Sequence, residues 1–436
     1  MQTSEPKKLG FRERIKKMWR SDPSQEDSPS DEEQSEDNSE NSGENNSEDI
    51  DEMTLQENAL DVNRSFSKIC RAKSYPFERH KVLTKDGYWL TVFRIMGSKG
   101  QSTWEALAQR KPALYLQHGV VDSADTFIMN DEKRAPGFMF ANAGYDVWLG
   151  NTRGNKYSKE HMYLDPTDDE DKKVFFDFSF GEMAEYDVPA IIEHIRVETS
   201  KDKIAVVAHS QGATLMLVKM SNDIHWWNER VAIFGCLGGV AKLDYTSSKL
   251  IKDLANQKYV LSTMKGLGVV EIFPSNYLQS KVFSSVSKRV PFISDFLIEL
   301  VADADTSTNN QSRVGVFMNH YPSGSSLKSF EHFAQIIISG RFQNYDYGHE
   351  INMQIYGHEI PPIFDLSKIK DAKTIMIVGE YDILSSEKDN EWLQDELGDN
   401  VIFYNTYPLG HTSFLISEDM TYIKDTIEVL KNNAWK

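Results

Sequence analysis

Three residues of this chain have the types and order that could break an ester: Ser210, Asp382 and His411. A serine hydroxyl is a poor nucleophile until a base takes its proton. An imidazole does this best when a carboxylate fixes its tautomer and stabilises the imidazolium that forms. Ser210 stands in Lys203-Ile-Ala-Val-Val-Ala-His-Ser-Gln-Gly-Ala-Thr-Leu-Met-Leu217. That stretch opens as an apolar run of strand type, breaks at Ala208-His-Ser-Gln-Gly212, and resumes as a small-residue and leucine pattern suited to a helix. Strand, sharp turn and helix are the context of a nucleophile elbow, which lifts the serine Oγ above the end of a parallel sheet. The amide of Gln211 points the same way and can bind an oxyanion. Positions 208 and 212 must be small because strand and helix pass close together, and Ala208 takes the place where glycine is usual.

The partners follow in the order serine, acid, histidine. Asp382 closes Gly379-Glu-Tyr-Asp382, just past a buried strand, and His411 opens a loop just past the final strand. Alone, Asp382 reads as a turn former and His411 as a structural histidine. Together, in order and at matching strand ends, they read as the acid and base of a triad. The second oxyanion donor is expected in the loop after an earlier strand, where His118-Gly-Val-Val121 puts the amide of Val120 in place. His118 and His209 read as structural, since the base role is filled. No cofactor and no metal is implied.

These residues need a sheet to position them. Tyr75 to Arg94 reads as a hairpin around Lys85-Asp86-Gly87. Strands are expected at Ala113–Val121, Asp146–Gly150, Lys203–His209, Lys373–Gly379 and Val401–Tyr407. Helices are expected over Met183–Val197 and about Glu418–Lys431. Strands alternating with helices imply a mostly parallel central sheet with helices on both faces. Ligands then bind beyond the carboxyl ends of the strands, where every punctuated motif falls. Residues of about 221–340 break the rhythm and should form a cap inserted over the site, within a catalytic domain of 61–436.

The N-terminal part differs in kind. Phe11, Ile15, Met18 and Trp19 fall on one helical face with basic residues around them, so 1–20 reads as a basic amphipathic segment suited to a membrane or lipid-droplet surface or to a binding partner. Between Ser21 and Glu52 there are 14 acidic residues and no Lys or Arg, so 21–60 reads as an acidic disordered tail. The net charge of −18 and the lack of a basic face argue against a nucleic-acid partner. Two cysteines make no disulfide framework and read as buried reduced thiols. Neither a signal peptide nor a membrane span is legible. The expectation is a cytoplasmic protein, peripheral on a membrane or droplet.

The chain resembles the acid lipase family of α/β-hydrolases, which includes gastric lipase, lysosomal acid lipase and steryl ester hydrolases. The motifs that carry the resemblance run from about Tyr75 to the C-terminal helix. They include Leu116-Gln-His-Gly119, Asp122-Ser-Ala-Asp-Thr126, Gly150-Asn-Thr-Arg-Gly-Asn-Lys-Tyr-Ser158 and Phe176-Asp-Phe-Ser-Phe-Gly-Glu-Met-Ala-Glu-Tyr-Asp-Val-Pro-Ala190. Further on come Phe342-Gln-Asn-Tyr-Asp-Tyr-Gly348 and Gly379-Glu-Tyr-Asp382. The resemblance implies an α/β-hydrolase fold and places the nucleophile on Ser210, the acid on Asp382, the base on His411 and the oxyanion amides on Val120 and Gln211. It implies neutral lipid esters, triacylglycerols or steryl esters, as substrates. Ala208 and Ser385-Ser386 depart from the family pattern, and the signal peptide and disulfide of the secreted members are absent. Lysosomal location and an acid pH optimum are therefore not carried over. A general carboxylesterase and an idle hydrolase scaffold are the alternative readings.

Overall fold

The computed structural model describes residues 58, 60–256, 258–274 and 302–435. The basic segment and nearly all of the acidic tail expected from the sequence lie outside the described residues, as does part of the cap.

Alternation of side chains along the strands explains the architecture. The strands are β1 (Phe77–Leu83), β2 (Tyr88–Ile95), β3 (Ala113–Gln117), β4 (Asp146–Leu149), β5 (Glu160–His161), β6 (Ile204–His209), β7 (Val231–Leu237), β8 (Glu271–Ile272), β9 (Ser325–Ser326), β10 (Thr374–Gly379) and β11 (Val401–Tyr407). The main sheet runs β1-β2-β4-β3-β6-β7-β10-β11, with β5 on the side of β2. From β4 to β11 every pairing is parallel, while β1, β2 and β5 pair antiparallel. In β6, Ala205 and Val207 enter one core while Ile204, Val206 and Ala208 enter the other. Strands buried on both faces read as continuous apolar runs, and β6 and β10 do.

Each face carries its own helices. One receives α1 (Phe66–Ala72), α2 (Pro136–Asn142), α8 (Gln311–His320) and α11 (Thr421–Asn433); the other receives α3 (Val188–Thr199), α4 (Gln211–Asn222), α5 (Ile224–Arg230) and α10 (Glu387–Leu397). Three more helices belong to the insertion: α6 (Lys249–Asn256), α7 (Lys258–Gly266) and α9 (Leu327–Ser339). They share a small apolar cluster with β8, built on Ala255, Leu261, Ile272, Leu327 and Ala334. Cys70 and Cys236 are free, buried and on opposite sides of the sheet. No helix among the described residues is long and apolar enough to cross a membrane.

Two boundaries differ from expectation. The insertion does not begin at about 221: α5 and β7 continue the main domain, with β7 paired between β6 and β10, so it begins after Leu237. The run Val231-Ala-Ile-Phe-Gly-Cys-Leu237 has no alternation because both its faces are covered, and periodicity cannot separate such a strand from other apolar segments. The helix expected at Met183 is interrupted by a π-helical turn over Met183–Asp187 before α3 starts. Pro189 has no N–H to give to a carbonyl four residues back, and Val188 bonds Met183 O, five residues back. The wider turn carries Asp187, which is wholly buried.

Candidate active site

The elbow forms as its residue types dictate. Ser210 has φ of 56° and ψ of −126°, a conformation that a side chain adopts only under strain. It is held there by the donation of its N–H to Leu237 O at 3.0 Å, and its carbonyl receives the Ala213 N–H at 2.9 Å as α4 begins. Gly212 has to be glycine, since a Cβ there would lie 2.7 Å from the carbonyl oxygens of both Gln117 and His118. Ala208 faces the other core and is accommodated without exposure.

The three candidates of the sequence come together. His411 Nε2 lies 2.7 Å from Ser210 Oγ, and His411 Nδ1 lies 2.7 Å from Asp382 Oδ2. An imidazole carrying its proton on Nδ1 donates to the carboxylate and accepts from the hydroxyl. The other carboxylate oxygen of Asp382 accepts the N–H groups of Leu384 at 2.9 Å and Ser385 at 2.7 Å, so the acid is fully bonded. The departure at Ser385-Ser386 has local work to do. Ser385 Oγ donates to Gly239 O at 2.6 Å, and Ser386 caps α10 by accepting the Asp389 N–H. Burial opposes a charge on His411, but the charge and hydrogen bond of Asp382, with the charge of Asp303, outweigh it and raise its pKa.

Val120 and Gln211 lie beside Ser210 on one cavity wall. Among the described residues no backbone acceptor engages either amide. The Val120 loop is braced from outside. His118 Nδ1 donates to Gly119 O at 2.8 Å, while its Nε2 accepts the Thr152 N–H and faces Asn155 Nδ2, each at 3.2 Å. Burial pushes the pKa of His118 down to about 4 despite the bond to Gly119 O, so it is a neutral brace. His209 Nε2 lies 2.9 Å from His411 O, which ties the elbow to the loop of the candidate base.

The motif Gly150–Ser158 supplies the rest of the frame. Asn151 accepts the Ala124 N–H at 2.9 Å and donates to Thr91 O at 3.0 Å. Arg153 is enclosed: its guanidinium bonds Asp187 at 2.6 Å and 2.8 Å and Asp86 at 2.5 Å and 2.9 Å, and lies 3.9 Å above the Tyr88 ring. Lys156 and His320 meet Asp125 at 2.6 Å and 2.9 Å.

The cavity above Ser210 is apolar. The insertion lines it with Leu243, Ile251, Leu261, Phe330, Phe333 and Ile337, and among the described residues no charged side chain reaches the wall. A larger polar cleft, around Lys203, Asp371 and Lys373, opens at the opposite ends of β6 and β10 and has no part in the site. Among the described residues His80, His194 and Glu198 could converge on a metal ion, but they lie on β1 and α3, away from Ser210. The sequence reading missed Asp303, a buried carboxylate beside the His411 loop. An isolated Asp in a segment without periodicity carries no signal of burial.

Residues 66–131 match a family model described as the partial alpha/beta-hydrolase lipase region, and residues 112–248 match one described as the alpha/beta hydrolase fold. The chain is 33% identical over 364 residues to lipase member K of Homo sapiens, covering 82% of this chain and 88% of that one. It is 34% identical over 365 residues to gastric triacylglycerol lipase of Mus musculus, covering 82% and 89%. To lipase member J of Homo sapiens it is 30% identical over 379 residues, covering 85% and 100%.

Proposed function

The chain belongs to the acid lipase family of α/β-hydrolases and is an ester hydrolase, and we propose that it cleaves neutral lipid esters through an acyl-enzyme on Ser210. His411 takes the proton of Ser210 Oγ as that oxygen attacks the ester carbonyl. Asp382 holds the imidazole in the required tautomer and stabilises its charge. The tetrahedral oxyanion lies against the amides of Val120 and Gln211. The alkoxide of the alcohol leaves with the proton from His411. Water, deprotonated by the same His411, then frees the fatty acid.

One observation carries this reading: an unbroken hydrogen-bonded line from Ser210 through His411 to Asp382, with both links at 2.7 Å, on the floor of an apolar cavity. The apolar lining of the cavity among the described residues suits an acyl chain. Two buried free thiols, with no disulfide partner between them, fit a reducing compartment inside the cell. The segment 1–20, read from its sequence as basic and amphipathic, would add peripheral attachment to an anionic membrane or droplet surface. Purified protein given triolein, cholesteryl oleate and a short-chain ester should release long-chain fatty acid from at least one of the first two, faster than it turns over the short ester. Preference for the short ester would favour a general carboxylesterase, and no release from any would leave a scaffold.

A further inference from the structure

Among the described residues Asp303 is a buried carboxylate with no cation on it. It belongs to the insertion and is 0% exposed. Among the described residues no lysine or arginine pairs with it. Its oxygens accept from Thr412 instead, Oδ1 from the backbone N–H at 2.8 Å and Oδ2 from the hydroxyl. Thr412 is the residue after His411. The fit on the other side of His411 is as close, since a Cβ on Gly410 would lie 2.3 Å from Asp303 Cγ.

The backbone around Asp303 grips the other loop. Asp303 forms a bridge with Asp382, Ala304 N–H donates to Tyr381 O at 2.7 Å, and Ile383 N–H donates to Ala302 O at 3.1 Å. One short piece of the insertion thus holds both loops that carry the proposed acid and base. Among the described residues the titratable groups facing His411 are Asp382, Asp303 and His209, whose ring lies 4.7 Å away. Those facing Asp303 are Asp382, His411 and Tyr321. Burial pushes Asp303 up to about 6, against the hydrogen bonds from Thr412 and with added repulsion from Asp382.

We propose that Asp303 is a positioning residue for the reaction: through Thr412 it seats His411, and its carboxylate adds a second negative charge behind the imidazole. The insertion that covers the substrate is thereby latched to the loop of the base. The proposal rests on the triad reading above. A buried carboxylate is costly without a partner charge, and this one bonds the residue next to His411, where an imidazolium forms in each half of the proposed reaction.

The test is the pH profile of kcat/KM for the full chain on a soluble short-chain ester. Asp303→Asn removes the charge and keeps one acceptor for Thr412, so the acid limb should move to lower pH by about half a unit or more. Asp303→Ala removes both acceptors and should lower kcat by about tenfold or more with little change in KM. Should those variants not fold, Thr412→Val removes only the hydroxyl donor and should lower kcat several-fold with KM kept. An acid limb unmoved in folded Asp303→Asn, or a wild-type kcat in Thr412→Val, overturns the proposal. A Ser210→Ala protein that keeps its turnover would instead overturn the triad reading, and this proposal with it.

Discussion

Around Ser210 the proposed acid and base and the brace His118 are held by directed hydrogen bonds, whereas across the cavity the described part of the insertion lines the wall with apolar side chains. Asp382 accepts three hydrogen bonds, His411 uses both ring nitrogens, and His118 uses both of its own. Leu261, Phe330, Phe333 and Ile337 face them with no direction to enforce. The first region is set by bond geometry and tolerates little, because a displacement of an ångström costs a reaction orders of magnitude. The second is set by buried area, which is non-directional and forgiving. Changes on the rim should therefore act on turnover or on folding as a whole. Changes in the insertion should act by degrees, and mainly on which ester is preferred.

The largest effect should come from the rim. Ser210→Ala and His411→Ala should each reduce kcat by about 10⁴-fold or more, and the double variant should lose little further, since members of a triad act as a unit. Additive losses in steady-state assays would contradict this. Next comes the frame. Arg153→Met leaves Asp187, buried on all sides, without its cation, and should cost about 3–5 kcal/mol in chemical denaturation. A loss under about 1 kcal/mol, the scale of a surface ion pair, would mean that the network does not hold the rim. Third, Ile337→Ala in the insertion should lower kcat/KM for long-chain esters by about tenfold while leaving a short-chain ester nearly unchanged, in line with about 1–3 kcal/mol for a hydrophobic pocket contact. Equal loss on both would erase the contrast between the regions.

The smallest effect is one of pH. As the proposed base, His411 must be neutral, so activity should fall as the pH drops through its pKa. An unperturbed imidazole would place the midpoint near the ordinary value of about 6.5. The structure points higher, because Asp382 and Asp303 together outweigh burial and raise the pKa. The acid limb of kcat/KM should thus lie above pH of about 6.5. A midpoint below that in a pH titration would mean that solvent or substrate relieves the two carboxylates.

Legibility in the sequence follows the same division. Ser210, Asp382, His411 and Val120 sit where apolar runs end, and a residue at the end of a buried strand is marked by the run before it. The hairpin of β1 and β2 was legible because Lys85-Asp86-Gly87 interrupts two alternating runs. The start of the insertion was not, because Val231–Leu237 is apolar on both faces and loses its period. The π-helical turn at Met183–Asp187 was also hidden: Pro189 signals a break, but not that the helix continues through it with a wider turn. Asp303 was hidden most completely, since its burial depends on Gly410 and Thr412, more than a hundred residues away. Contacts of that range leave no local pattern.

The central claim is that Ser210 is the nucleophile, and covalent labelling tests it most directly. Purified protein treated with a fluorophosphonate, then digested and mapped by mass spectrometry, should carry the adduct on the peptide holding Ala208-His-Ser-Gln-Gly212, at Ser210. Ser210→Ala should take up no label and hydrolyse no ester. Labelling of another residue, or a Ser210→Ala protein that still hydrolyses long-chain esters at the wild-type rate, would contradict the account.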